Sequence, residues 1–570
     1  MKVYDKLTII LAIMGVAVIV LSVSAPINIP TTETPNYEFS ENEKAYIPHG
    51  TIRINSDSEF AQIAQQEGWP GDGSENDPYI IEGYEIDAQR EGNCIYIGNT
   101  TVHFIIRNCY LHNASWQSSP YFVGAGITLY NVINGIIENN TCSGNDDGIH
   151  LLSSSNNTIS NNICHNNSDG VYLDSSSRNT ISNNNCTNNS DNGIELYYSN
   201  NNTISTNICD NDYDGIYLDY SSNNTISNNT CNNNNYVGIY LYSSSNNMIF
   251  NNTCTSNSDG IRLSYSSSNN LITNNNCNSN SDGIYLYYSS NNSIANNICT
   301  NNNYDGIYLY YSNSTTISNN TCNNNNYSAV RLHSSNNNTI AKNNCSNNNR
   351  FGIYLDSSNC NIIANNTCTN NDYSGIRLYY SNNNLIANNT CSNNSDDGVR
   401  LYSSSNNTIS NNICSYNNDD GIPLSLSNNN LIVDNLLYKN ANYGICIYSG
   451  GYNRIYNNSF YYNHGSGDTF NSSHVQAYDG GTNNSWNSSW GVGNYWHDWA
   501  NNNNTNDQNN DGIIDWPYPI DGSANAKDYY PLANPTVVPE LPMFSWILIL
   551  LAIFAIVYLG TGKKNLAKSP

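Results

Sequence analysis

Cysteine recurs at positions 142, 164, 186, 209, 231, 254, 277, 299, 322, 345, 368, 391 and 414, and every interval is 22 or 23 residues. A unit that short cannot bury its own apolar residues, so copies must stack and bury them against one another. An aliphatic residue stands five positions before each cysteine, from Ile159, Ile181 and Ile204 through to Ile409. Asparagine stands two positions before nearly every cysteine, as at Asn162, Asn184 and Asn412. A further pair runs Ile-x-Leu or Val-x-Leu from Ile149 and Leu151 to Ile422 and Leu424. Spacing by two puts both side chains on one face of a strand. Asp-Gly and Asn-rich tracts between these runs read as turns. The expected fold is all-β: a single-stranded right-handed parallel β-helix (a solenoid) with coils about 4.8 Å apart, so that thirteen coils span roughly 60 Å. A leucine-rich repeat has a similar period, but its Leu-rich pattern and helical segment are absent.

Composition agrees. The 570 residues carry 19 Lys+Arg against 45 Asp+Glu, a net charge of −26. With that balance no basic surface is expected to neutralise phosphates, which argues against a nucleic-acid partner. Only 11% of residues are charged and 118 are Asn, a residue poorly suited to helix interiors. Regular aliphatic spacing decides against the disorder that such a composition would otherwise suggest.

The ladder cysteines should point inward as free thiols, acting as small apolar filler. Stacked Cβ atoms lie nearer 4.8 Å apart than the roughly 3.8 Å of a disulfide. Disulfides and metal binding are the alternatives. Cys94, Cys360 and Cys446 lie off the ladder, and Cys109 reads as an earlier member. Stacked Asn amides should hydrogen-bond along their own column.

The ends of the chain read differently. Residues 1–25 form a signal peptide or N-terminal anchor: Lys2 and Lys6, an apolar run over 7–23, then Ser24 and Ala25. A linker follows at 26–45, an N-terminal cap at 46–79, the repeats at 80–465, a Trp-rich C-terminal cap at 466–533 and a second linker at 534–541. Residues 542–560 are an apolar transmembrane helix, and 561–570 a basic tail with Lys563, Lys564 and Lys568. That tail places the C-terminus in the cytoplasm and the body on the extracellular face of the membrane. "VPELPMFSWILILLAIFAIVYLGTGKK" also resembles archaeal C-terminal sorting signals, with Leu541 where those signals have Phe. The resemblance implies surface attachment, with the span either removed or kept.

Outward positions suggest a binding face. Between Ile and Leu of successive coils stand Tyr172, Tyr217, Tyr240, Arg262, Tyr285, Tyr308, Arg331, Tyr354, Arg377 and Arg400. Tyrosine offers a flat apolar body with a polar tip, suited to sugar rings or to another protein. The bland alternative is that Tyr simply suits an exposed strand. Asp174, Glu195 and Asp219 are weak catalytic candidates, on three successive coils, for a polysaccharide lyase or hydrolase. Asp-Gly recurs in too many coils to mark catalysis, and an enzyme is the lesser reading. In the cap, Asp507, Asn509, Asp511 and Asp515 surround Gly512 as in the first half of an EF-hand loop, without its closing Glu, which suggests calcium. Asn156, Asn201, Asn228 and Asn406 begin glycosylation sequons.

"GWPGDGSENDPYIIEGYEIDA" (68–88), "TTVHFIIRNC", the Asn-rich coils and "GNYWHDW…NNDGIIDWPYPIDG…DYYPL" together resemble the NosD-type β-helix family, and in particular its archaeal surface-anchored members. The resemblance covers about residues 46–533. It implies a right-handed β-helix outside the membrane, in a family sometimes labelled periplasmic copper-binding and grouped with carbohydrate-binding and sugar-hydrolysing β-helices. Copper finds no support in these residues: 4 Met and 9 scattered His make no soft cluster. The expectation is a non-catalytic surface protein that binds glycans or cell-envelope components such as an S-layer, with a polysaccharide-active enzyme or a copper accessory as alternatives.

Overall fold

In the computed structural model, which describes residues 46–116, 123–501 and 507–538, each coil pairs in parallel with the next at a step of one repeat. Ile149 lies on Val171 and Val171 on Ile194, Ile159 on Ile181, and Cys142 on Cys164 and then Cys186. One coil makes three short strands, as at Asp147–Leu152, Thr158–Ser160 and Ile163–His165. About 16 turns stack in this way. The expected all-β parallel solenoid is thus the fold. Its core is a set of straight columns, with Ile149, Leu151, Ile159 and Cys164 and their counterparts fully buried in coil after coil. Every ladder thiol is free and buried, and Cys360 alone is exposed. Burial holds the thiols of Cys209, Cys254, Cys299 and Cys368 well above the usual range, so they pack as neutral groups.

The Asn-Asn pairs explain how each coil turns. The first residue adopts a positive φ and faces solvent, as Asn156 (57°), Asn161 (56°) and Asn166 (56°) do. Asn is one of the few L-residues that visits this region readily. The second residue turns inward, and Asn157, Asn162 and Asn167 are at most 3% exposed. The Nδ2 of Asn162 donates to the Oδ1 of Asn184 at 3.0 Å and to the Ile137 carbonyl at 2.9 Å, while its Oδ1 accepts from the backbone N–H of Asn140 at 3.0 Å. The sequence suggests one such column, and the structure has three. They descend from Asn140, Asn145 and Asn157, beside a serine column that begins at Ser154.

Asp-Gly, expected as a turn, instead opens a strand, as in Asp169–Asp174 and Asp214–Asp219. Its glycine is there for close approach. A Cβ on Gly283 would stand 2.5 Å from the Gly306 carbonyl and 2.9 Å from the Cys299 Cβ.

Both ends of the column are closed. Parallel pairing reaches back beyond residue 80, with Ile47 on Tyr84 and Ile52 on Ile95. Helix α1 (Asp57–Glu67) begins at Ser56, whose side chain accepts from the N–H of Glu59, and ends at Gly68, φ 73°. This helix lays Phe60 on Tyr79 (4.9 Å) and Phe104 (5.4 Å) over the first coil. At the other end Trp496 is sandwiched between Phe460 (4.1 Å) and Tyr518 (4.0 Å), and its indole N–H donates to Asp528. Among the described residues no helix is long and apolar enough to cross a membrane. The signal segment 1–25, the linker 26–45, the 542–560 helix and the basic tail lie outside the described residues.

Candidate functional site: the outer wall of the Ile-x-Leu sheet

Three columns face outward along this wall. The first holds Tyr172, Tyr217, Tyr240, Arg262, Tyr285, Tyr308, Arg331, Tyr354, Arg377 and Arg400, all half-buried. They interlock. Tyr285 stacks on Tyr308 at 5.0 Å, and Tyr217 on Tyr240 at 5.2 Å. Arg262 lies over Tyr285 (5.0 Å), Arg331 over Tyr308 (4.8 Å) and Arg377 over Phe351 (5.1 Å). Their ring faces are spent on one another, which leaves little of them for a sugar.

On this wall the more exposed aromatic column is two columns further along the chain. Tyr198, Tyr220, Tyr265, Tyr288, Tyr311 and Tyr380 are 40–48% exposed. Each sits just past the strand end with a φ of 47–51°. Tyr288 and Tyr311 stack parallel within 1° at 4.9 Å, and Tyr198 and Tyr220 stack at 5.0 Å. The column between packs edge-to-face beneath them, as Tyr287 does on Tyr288 and Tyr310 on Tyr311. Sequence reading missed this ridge. Its only signal was the Tyr-Tyr-Ser, Asp-Tyr-Ser and Ser-Tyr-Ser triplets after Leu, and none reveals a left-handed backbone.

Along the inner edge of the first column runs a row of carboxyls: Asp147, Asp169, Asp214, Asp259, Asp282, Asp305, Asp397 and Asp420. Each is nearly buried by neighbours in the adjacent coils. Several reach the next coil's backbone. Asp214 accepts from Val237 N–H (2.8 Å), Asp305 from Ser328 (2.9 Å) and Asp420 from Tyr443 (2.9 Å). Burial pushes Asp214, Asp259, Asp305 and Asp420 up to about 7.

The three catalytic candidates do not gather. Asp174 and Asp219 share the middle column on either side of Tyr197, while Glu195 belongs to the first column. The Glu195 carboxylate turns to Asn192, Asp169 and Asp191 instead. Nearby, Asp147 holds the Nδ1 of His150 at 2.7 Å. A polar cleft of about 420 Å³, lined by Arg90, Asp146, Ser168 and Ser190 among others, opens on the adjoining turns.

In the cap, Asp507 accepts from the N–H of Asp511 (3.1 Å) and Gly512 (2.8 Å), and Asp515 from Gln508 (2.9 Å). Asn509 Nδ2 donates to Asp511 (3.0 Å). The four oxygen-bearing side chains thus share one turn, at Gly512, φ 87°. The sequon residues Asn156, Asn201, Asn228 and Asn406 are all exposed at left-handed corners.

Residues 80–276 match the family model described as "Periplasmic copper-binding protein (NosD)", and residues 277–384, 305–460 and 357–511 match the one described as "Right handed beta helix region". Together these two matches support a right-handed parallel β-helix. No curated protein matches it. Among solved structures, it is similar to the A-module of a mannuronan C-5 epimerase from Azotobacter vinelandii, at 16% identity, covering 60% of this chain and 86% of that one, with a TM-score of 0.31. It is also similar to a lidless DFA-IIIase from Arthrobacter chlorophenolicus, at 11% identity, covering 55% and 94%, with a TM-score of 0.33. The Dettilon tailspike protein matches at 15% identity over 61% and 62%, with a TM-score of 0.32. Likeness at these scores carries no argument about chemistry.

Copper does not fit the described residues. The thiols of the ladder are sealed in the core and Cys360 stands alone on the surface. Among the described residues, the side-chain groups close enough to hold an ion are all carboxylates, a poor set for a soft metal.

Proposed function

We propose that the protein is a non-catalytic, surface-located scaffold that binds an extended polysaccharide along the tyrosine ridge. One observation carries this reading: bulky tyrosines occupy left-handed corners. Serine holds the same corner in other coils, at Ser153, Ser175, Ser243, Ser334, Ser357 and Ser403, with φ of 46–52°. A left-handed conformation costs an L-residue roughly 1–2 kcal/mol, and strand propensity cannot repay it, because the position is outside the strand. Six exposed phenols at such corners therefore point to use rather than to folding. Stacked rings present edges and hydroxyls to solvent, a suitable lining for a polyol. At Ser243 the run is broken, leaving a gap two coils (about 9.6 Å) wide between Tyr220 and Tyr265, with Tyr242 packed against both.

The family's printed description places its members in the periplasm, which supports a location outside the cytoplasm. We read the 542–560 segment as the anchor, and envelope or S-layer glycans as the partners. The 507–515 loop takes calcium on this reading, beside a strap in which the Ile514 N–H donates to the Pro531 carbonyl and the Ala533 N–H to the Gly512 carbonyl.

The test is a polysaccharide binding screen with the full-length protein and with Tyr220→Ser, Tyr288→Ser and Tyr311→Ser combined. Affinity should fall at least tenfold while the unfolding midpoint holds or rises. Unchanged affinity, or no binding to any envelope polysaccharide, would defeat the proposal, and release of cleaved product would move the reading to an enzyme.

A further inference from the structure

Arginine neutralises the buried carboxylates of the wall at three places. Arg262 lies 3.3 Å from Asp259, Arg331 3.6 Å from Asp305, and Arg400 3.1 Å from both Asp396 and Asp397. In two of these the acid stands three residues before its arginine, at 259/262 and 397/400. The coil that starts at residue 192 has Asn192 and Glu195 at the same two positions. A third carboxylate has replaced the cation. Oxygens of Asp169, Asp191 and Glu195 all lie within 4.8 Å of one another, and among the described residues no ion pair reaches any of them.

Asn192 belongs to the same cluster. Its backbone N–H donates to Asp169 at 2.9 Å and its Nδ2 to Glu195 at 2.7 Å. It is only 3% exposed, yet its Oδ1 has no hydrogen-bond partner. Buried amide oxygens are almost always satisfied; with this amide turned over, its oxygen joins the three carboxylates, an arrangement that only a cation makes favourable.

We propose that Asp169, Asp191, Glu195 and Asn192 form a calcium site on the outer wall of the solenoid, the ion standing where arginine stands in later coils. All donors are hard oxygens, which suits calcium or magnesium rather than a transition metal. Calcium accepts an irregular set of carboxylate and amide oxygens with an open side, whereas magnesium demands a near-ideal octahedron. Asp191 is exposed, so one side of the ion stays open to water or to an oxygen of a bound ligand. The site is separate from the 507–515 loop, and it does not depend on the polysaccharide reading.

Calorimetric titration of the full-length protein with calcium chloride tests this, in a background of Asp507→Asn and Asp511→Asn that disables the cap loop. The background protein should bind one calcium ion and melt at a higher temperature when calcium is added. Adding Asp191→Asn with Glu195→Gln should weaken binding at least a hundredfold. Glu195→Arg copies the later coils. It should fold, ignore calcium, and melt without it at least as high as the background protein does with it. A background protein that gives no binding heat overturns the proposal. So does calcium binding that survives unchanged in the Asp191→Asn/Glu195→Gln protein or in Glu195→Arg.

Discussion

Asp212 is an acid with asparagines on both sides of it in its column. Its Oδ1 accepts from the N–H and Nδ2 of Asn189, and its own N–H donates to Asn234, but its Oδ2 has no partner. An Asn at this position would donate from Nδ2 to Asn234, and a carboxylate can do so only when protonated. Burial pushes Asp212 up to about 8. An acid whose folded value is raised binds its proton more tightly when folded. Its contribution to stability is therefore greatest below about pH 4 and declines as pH rises towards 8. The Asp212→Asn variant should match the native protein at pH 4 and exceed it by about 2–4 kcal/mol at pH 8, because a one-unit shift is worth about 1.4 kcal/mol. Denaturant melts at the two pH values read this directly, and a gain independent of pH would show that the proton is not the cause.

At the scale of the element, the columns differ in what they hold. Asn297 donates to Asn320 and to the Ile272 carbonyl and accepts from Asn275, all of them buried. Removing its amide strands several buried groups at once, at about 1–3 kcal/mol each. Cys299 fills space in the core, and its loss leaves only a small cavity. Asn297→Ala should therefore cost about 3 kcal/mol or more, and Cys299→Ala about 1–2 kcal/mol. If unfolding curves gave equal costs, the amide columns would not be the main specifiers of coil geometry. This order was partly legible beforehand. Asn two residues before Cys announces a ladder. The other two ladders hide in Asn-Asn pairs whose second member points inward only because the first takes a left-handed turn. Asp-Gly misleads for a similar reason. Its usual meaning is a turn, and here the glycine is required by a neighbouring coil's carbonyl and cysteine.

For the molecule as a whole, the stacking seals its chemistry inside. All cysteines except Cys360 are buried along the column. A thiol reagent should therefore label one site in the native protein and all 17 after unfolding. Labelling of several ladder thiols without unfolding, measured by mass spectrometry, would contradict the sealed core. The same stacking assembles the wall. Asp169, Asp191 and Glu195 are brought together by registering one coil on the next, and so are the tyrosines of the ridge.

The period of the cysteines, the alternation in Ile-x-Leu and the short unit dictated a parallel solenoid with an apolar, thiol-filled interior. Those are properties of spacing, and spacing is written in the chain. Which outward residues face each other, which tyrosines bend into the left-handed region and which acid lacks a counter-charge were decided only by the stacking. Each depends on the register between coils of 22 and 23 residues and on the backbone angle at each corner. Neither quantity is a property of any one stretch of sequence.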